Sequence, residues 1–339
     1  MSQTRVLVTG AGGFIGHYLV RYLRDRGYWV RGVDIKLPEF SEPDADEFEL
    51  LDLRRWDNCL QATRGVEEVY ALAADMGGMG FISKYHAEIL HNNILINTHT
   101  LEAARLNGVR HYLYTSSACV YPEFLQTDAN VKPLKEEDAY PAQPQDAYGW
   151  EKLVTERLCL HYRDQYDIQT HIVRFHNIFG PEGTWEGGRE KAPAALARKI
   201  ANAKLTGNPE VEIWGDGEQT RSFCYIDDCL TGIYKLMRSE YCDPLNLGQD
   251  RMVTINELAD IIAEIAGIQI VKKHVSGPQG VRGRNSDNNR LRQVLGWEPE
   301  ISLEQGLVET YTWIENQVRQ KLAAETDGRQ IIQKDVMEA

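Results

Sequence analysis

Tyr148 and Lys152 stand four residues apart in Tyr148-Gly-Trp-Glu-Lys152, so on a helix they share one face and the ammonium favours the ionised phenol. A phenolate brought toward neutral pH can take the proton of a hydroxyl as hydride leaves the carbon that bears it. Upstream, Ser116-Ser-Ala-Cys119-Val-Tyr121 sets the hydroxyl of Ser117 and the thiol of Cys119 just after an apolar run. Taken singly, a Tyr-x-x-x-Lys spacing is as readily surface decoration, and a cysteine after a strand is ordinarily a small buried hydrophobe. A third segment gives the two a common purpose.

That segment is Gly10-Ala-Gly-Gly-Phe14-Ile15-Gly16. Gly10, Gly13 and Gly16 form a G-x-x-G-x-x-G turn between a strand and a helix opened by Phe14 and Ile15, where missing side chains let backbone amides approach a pyrophosphate. A tight turn alone would also call for such glycines. Asp34, at the end of the second apolar run, adds a carboxylate that can accept from both ribose hydroxyls and would repel a 2′-phosphate. The cofactor this implies is NAD rather than NADP. Asp52, in Leu50-Leu-Asp-Leu-Arg54, stands where a polar contact to adenine and a strand-end or helix-cap aspartate are equally good readings.

Such residues need a frame, and the apolar pattern supplies one. Arg5–Thr9 and Trp29–Val33 read as strands, as do Val69–Ala73, Tyr112–Thr115 and Thr170–Arg174; helix-like stretches at Ile94–Leu106 and Ala147–Tyr162 fall between them. Strands alternating with helices predict an α/β fold, a Rossmann-type doubly wound parallel sheet covered on both faces. After Gly180-Pro181 the texture turns to loops rich in glycine and charge, with helices near Ala192–Lys204 and Ile255–Ile265. We therefore expect a nucleotide-binding domain over 1–178, a smaller C-terminal α/β substrate lobe over 179–325, and a polar tail at 326–339.

Composition narrows the function classes. A formal net charge of −13 over 339 residues gives no broad basic field, so nucleic acid and anionic membranes are poor partners, while a few local arginines still suffice for a phosphate. Six cysteines without a C-x-x-C pair read as reduced thiols, with Cys59 and Cys159 as packing residues in helix-like patterns. The first strand begins within a few residues of Met1 and no apolar run approaches a membrane span, so a cytoplasmic location is expected. No metal is called for.

Together, the glycine turn, Ser117, the Tyr148/Lys152 pair and Arg174-Phe-His-Asn177-Ile-Phe-Gly180-Pro181 resemble the extended short-chain dehydrogenase/reductase family, the nucleotide-sugar epimerases and dehydratases. The resemblance covers nearly the whole chain and implies that residues 223–246 return to the first domain. Ala71, where 4-epimerases tend to carry histidine, departs from the pattern without touching the chemistry. At Ala118 and Cys119, simple 4-epimerases usually end in threonine or serine and 4,6-dehydratases carry Asp-Glu; here a thiol stands instead. The segments Asp75–Phe81, Gly183–Pro193 and Gly280–Asp287 look closely like those of the branch that inverts C3 and C5 of GDP-mannose, giving GDP-L-galactose, or GDP-L-gulose when C5 alone inverts.

What the resemblance implies for single residues follows. Tyr148 would be the redox acid/base with Lys152 as its partner, and Cys119 with Lys191 would remove and return carbon-bound protons. Gly77, Ser117, Ala118, Asn177, Glu190, Ala192, Lys199, Gln219, Thr220, Arg221 and Arg284 would surround the substrate. The chemistry is coherent: oxidising a hexose at C4 makes a ketone that acidifies hydrogens at both C3 and C5, and inversion needs groups on opposite ring faces. Family members commonly dimerise through the helices near Ile94–Leu106 and Ala147–Tyr162, so a homodimer is expected. The competing expectations are another NAD-dependent nucleotide-sugar epimerase, such as a 4-epimerase acting on a UDP-sugar, and a silent NAD-binding sensor.

Overall fold

The computed structural model describes residues 3–337, with side chains as far as Glu325. The first half runs β1 (Arg5–Thr9), α1 (Phe14–Arg24), β2 (Trp29–Asp34), β3 (Glu47–Leu50), α2 (Trp56–Ala62), β4 (Glu68–Ala71), α3 (Met79–Ile82), α4 (His86–Leu106), β5 (His111–Ser117), α5 (Ala147–Gln165) and β6 (Gln169–Phe175). There follow β7 (Ile178–Phe179), α6 (Ala192–Thr206), β8 (Glu210–Trp214), β9 (Thr220–Ser222), β10 (Cys224–Tyr225), α7 (Ile226–Met237) and β11 (Pro244–Leu247). The chain ends with β12 (Met252–Thr254), α8 (Ile255–Ala266), β13 (Val271–Val275), β14 (Gly283–Arg284), α9 (Asn289–Leu295) and α10 (Leu303–Met337). The side chains of the tail expected at 326–339 lie outside the described residues, and the backbone of α10 runs to Met337.

Seven strands make one sheet in the order β11-β6-β5-β4-β1-β2-β3, every pair parallel. Successive crossovers run one way from β1 to β3 and the other way from β4 to β6, which opens a crevice beyond the carboxyl ends of β1 and β4. Thr9 closes the floor of that crevice: its Oγ1 accepts the amides of Leu72 and Ala73 at 3.1 Å each. Both faces of the sheet are buried, Val6 and Val8 packing with Leu19, Leu23 and Ile233 on one side, Leu7 packing with Leu101 and Cys159 on the other. Among the described residues no helix is long and apolar enough to cross a membrane.

The smaller sheets flank this frame. β12, β9 and β14 form one, β13 and β8 another, and β10 pairs with β7. They are two to five residues long, too short for the alternation that reveals a strand in sequence. The sequence also misplaces the start of α4, which begins at His86 rather than near Ile94. Ahead of Ile94 the helix buries Asn93, a polar side chain that interrupts the apolar period because it bonds the carboxylate of Glu151.

One buried ion pair ties α5 to the sheet. Arg174 of β6 grips Glu156 of α5 through two bonds of 2.8 and 2.7 Å, both side chains 2% exposed. The remaining nitrogen donates to the Glu136 carbonyl at 2.7 Å and to the Tyr121 hydroxyl at 3.1 Å, while Ser116 Oγ donates to Glu156 at 2.5 Å. Breaking one partner leaves the other charge buried and alone. Glu156→Ala should therefore lower the unfolding free energy by about 3–5 kcal/mol, whereas the paired change Glu156→Leu with Arg174→Met should cost clearly less. Urea melts of the two variants check this; equal losses would show that charge isolation is not the cause.

Candidate active site

The cofactor side of the crevice is built from backbone. α1 starts at Phe14 after Gly13, and no side chain caps it, so the first-turn amides are free for an anion. Two close approaches require glycine: a Cβ on Gly16 would lie 1.9 Å from the Gly10 carbonyl oxygen, and one on Gly12 would lie 2.1 Å from that of Lys36. Gly10 itself has φ +71°. Asp34 ends β2 beside this turn, accepting the Gly12 amide at 3.0 Å and the Ile35 amide at 2.6 Å, with burial pushing its carboxyl up. A pyrophosphate on the helix start and a ribose diol on Asp34 fit this cradle. Asp52 lies two residues beyond Leu50, the β3 partner of Asp34, and its carboxylate is gripped by the Arg54 guanidinium at 2.8 Å.

The chemistry side is set by α5. Asp146 caps the helix by accepting the Gly149 amide at 2.8 Å, which starts Tyr148 and Lys152 down the face turned to the end of β5. A Cβ on Gly149 would stand 2.2 Å from the Cys119 carbonyl oxygen. Cys119 sits in a 3₁₀ turn, Ala118–Val120, capped by Ser117, whose Oγ accepts the Cys119 amide at 3.2 Å. Lys152 Nζ donates to the Thr115 carbonyl at 2.9 Å and lies 3.8 Å from Glu151. The pair is thus assembled, with Lys152 Nζ 5.4 Å from the Tyr148 ring centroid.

The electrostatics differ from the sequence expectation at one point. Burial pushes the Tyr148 phenol far up, reinforced by the charge of Glu151, and the Ser117 hydroxyl bonded to it works in the opposite direction. Burial likewise pushes the Lys152 ammonium down, against Glu151. The protein frame alone therefore pushes the phenol up, because the dry setting outweighs the bond from Ser117.

Around Cys119 the charges are positive. Arg284 Nη1 donates to Cys119 Sγ at 3.2 Å, and Nε donates to Gln126 Oε1 at 2.6 Å. Lys191 precedes α6, where burial pushes its ammonium down and Cys119 leads the opposing influences. Arg221 is pushed down to about 9, by burial first and the Arg284 charge second. These arginines are register partners on β9 and β14. Arg221 bonds only the carbonyls of Thr220, Gln279 and Val281, and neither arginine meets a carboxylate among the described residues. Two adjacent guanidiniums without a counter-ion suit a diphosphate.

Other expected residues have structural partners. Asn177, at φ +48°, donates Nδ2 to the Ser222 carbonyl at 2.8 Å. Lys199 donates to the Glu212 carbonyl at 2.8 Å, Thr220 to that of Ala129 at 2.5 Å, and Glu190 accepts from Arg198 at 2.9 Å. Gln219 donates to the Trp214 carbonyl at 3.1 Å while its Oε1 is buried without a partner. Gly77 packs on Phe81, and Ala192 opens α6 beside Lys191.

A family model described as the NAD dependent epimerase/dehydratase family matches residues 6–248. The chain belongs to that family. It is 50% identical over 321 residues to GDP-mannose 3,5-epimerase 1 of Oryza sativa subsp. japonica, covering 94% of this chain and 84% of that protein. It is 49% identical over 325 residues to GDP-mannose 3,5-epimerase of Arabidopsis thaliana, covering 95% and 85%. Among solved structures, the UDP-glucose 4-epimerase of Thermotoga maritima with UDP-glucose superimposes with a TM-score of 0.83 at 26% identity, over 93% of this chain and 100% of the other.

Sequence reasoning missed Gln126, Gly149 and Asn93. Gln126 joins the Arg284 side chain to the loop after β5 through bonds to the Tyr121 and Pro122 carbonyls, a long-range link that no local pattern announces. Gly149 lies inside the Tyr-x-x-x-Lys segment, and a glycine in a helix start was the signal available. Gly149→Ala must push α5 away from Cys119 or displace the turn. A shift of about 1 Å should lower turnover about 10²-fold while the protein stays folded, as measured by steady-state rates beside circular dichroism. Full activity in that variant would show that the close approach has no functional consequence.

Proposed function

We propose that the chain inverts C3 and C5 of GDP-mannose through a transient 4-keto sugar with bound NAD, giving GDP-L-galactose, and GDP-L-gulose when only C5 inverts. The observation that carries this reading is the Cys119 thiol at 3.2 Å from the Arg284 guanidinium, on the turn that α5 presses beside Tyr148. Half-identity to proteins named GDP-mannose 3,5-epimerase supports the substrate. NAD complexes among the similar structures, including UDP-glucuronic acid 4-epimerase of Bacillus cereus, support the cofactor.

Bound NAD would supply a reversible hydride acceptor, so the reaction is redox-neutral overall. In its ionised form Tyr148 takes the O4 proton and later returns it, with Ser117 bonded to the phenol and Lys152 held in place by the Thr115 carbonyl. The 4-ketone spreads the charge left at C3 or C5 as an enolate. Cys119 takes the proton from one face of the ring and Lys191, a lysine whose ammonium burial weakens, delivers one from the other. Arg221 and Arg284 hold the diphosphate. In this reading residues 1–178 with 223–246 carry NAD, supported by β11 lying beside β6 in the main sheet, and 179–325 form the substrate lobe.

The reading extends to assembly and location. The outer faces of α4 and α5 expose Leu90, Trp150 and Val154 to 40%, 42% and 50%, which supports a homodimer through this helix pair. Six free cysteines support a reducing compartment, the cytoplasm. Light scattering should return a dimer mass that Trp150→Glu with Val154→Glu converts to a monomer; a monomeric parent protein overturns this part.

The reaction itself is tested in heavy water. With GDP-mannose the protein should wash deuterium into C3 and C5 but not C4, and should leave UDP-sugars unchanged. Cys119→Ala should abolish wash-in while reduced-nicotinamide absorbance still appears on mixing; Tyr148→Phe should abolish both. Wash-in at C5 that survives Cys119→Ala would make some other residue the base. Turnover of a UDP-sugar in place of GDP-mannose would favour a 4-epimerase.

A further inference from the structure

A line of polar contacts runs from the redox pair to the loop that ends in Lys191. Glu151, fully buried beside Lys152, accepts Asn93 Nδ2 on one oxygen and Asn97 Nδ2 on the other, both at 3.0 Å. Asn93 turns the other way as well, donating to the Asp75 carbonyl at 3.1 Å and accepting the Asp75 amide at 2.6 Å. The Asp75 side chain is held on both oxygens: Asn92 donates to one at 3.0 Å and Arg189 Nη1 to the other at 3.1 Å. Arg189 also donates to the Met76 carbonyl at 3.2 Å, and its guanidinium lies 3.7 Å over the Phe81 ring.

The backbone repeats the contact. Gly78 donates its amide to the Arg189 carbonyl at 2.9 Å, and a Cβ on Gly78 would lie 2.3 Å from the Glu190 carbonyl oxygen. The loop after β4, which carries Gly77, is therefore fastened to the loop before α6, which carries Lys191. A half-exposed ion pair by itself would contribute little to stability. Its effect here is on position, since Asp75 is already fixed to α4 and Arg189 is two residues from Lys191.

We propose that Arg189, clamped by Asp75, is a positioning residue that registers Lys191 to the Tyr148–Lys152 pair, so that C4 redox and C3/C5 proton exchange act on one ring placement. The proposal rests on the reaction given above, and its test separates the two half-reactions. Reduced-nicotinamide absorbance after mixing with GDP-mannose follows the C4 step, and deuterium at C5 follows proton exchange. Arg189→Ala, a change at a half-exposed site, should slow C5 wash-in about tenfold or more and the C4 step by less than about twofold. Asp75→Asn should shift the same ratio, the double variant should be no worse than Arg189→Ala alone, and Arg189→Lys should recover part of the wash-in.

Equal slowing of both readouts, unchanged wash-in in Arg189→Ala, or additive losses in the double variant would each overturn the proposal. A parent protein that gives neither signal overturns the functional reading and this proposal with it. A parent protein that gives both signals, with a variant that keeps both, overturns the positioning role alone.

Discussion

The site depends on how closely α5 can approach the end of β5. Gly149 permits contact at backbone distance, with the Cys119 carbonyl occupying the space a side chain would need. The same helix face is pinned at further points: Asp146 at the cap, Lys152 on the Thr115 carbonyl and Glu156 on Ser116 and Arg174. These positions recur at three- and four-residue intervals, so one helical face is fixed against one strand end along about three turns. Tyr148 lies within that interval. Its distance from Ser117 and Cys119 is consequently set by backbone packing, which is stiffer than any single side-chain contact.

Charge within the crevice is arranged against folding preference. The chain is acidic overall, yet Arg221, Arg284 and Lys191 gather around one thiol. Adjacent guanidiniums in register on neighbouring strands repel each other, and their bonds to carbonyls and to Gln126 Oε1 offset that only in part. The unmatched Gln219 Oε1 nearby has the same character. In the proposed reading a sugar diphosphate completes these groups, since it matches both the charge and the donors.

The sequence exposes whatever is encoded within one short window. β1 and the glycine turn, the Asp34 strand end, the Tyr148/Lys152 spacing and the start of α6 all depend on neighbours in the chain, and each was legible as such. Asn93 and Glu151 were not, because their pairing joins α4 to α5 across 58 residues and makes two polar side chains behave as core. Gln126 is further removed, bonding Arg284 across 158 residues. Asp52 illustrates the opposite limit: local sequence left two readings open, and its carboxylate is taken up by Arg54 only two residues away. The burial that pushes the Tyr148 phenol up is likewise not readable from spacing.

The likeness to the Thermotoga maritima UDP-glucose 4-epimerase separates frame from chemistry. At 26% identity the two chains share their architecture over 93% of this one, so the architecture by itself cannot choose a reaction. What can choose it is a pair of groups able to exchange protons at carbons beside a ketone. In the proposed reading one of them, Cys119, stands on the turn that follows β5, and the other, Lys191, arrives on a loop after β7. Groups delivered by separate elements must be held in register, because inversion succeeds only if removal and return act on opposite faces of one ring held still. The contacts of Arg189 with Asp75 and of Gly78 with the Arg189 carbonyl fasten the Lys191 loop to the loop after β4, and Asp75 is in turn bonded to Asn93 of α4.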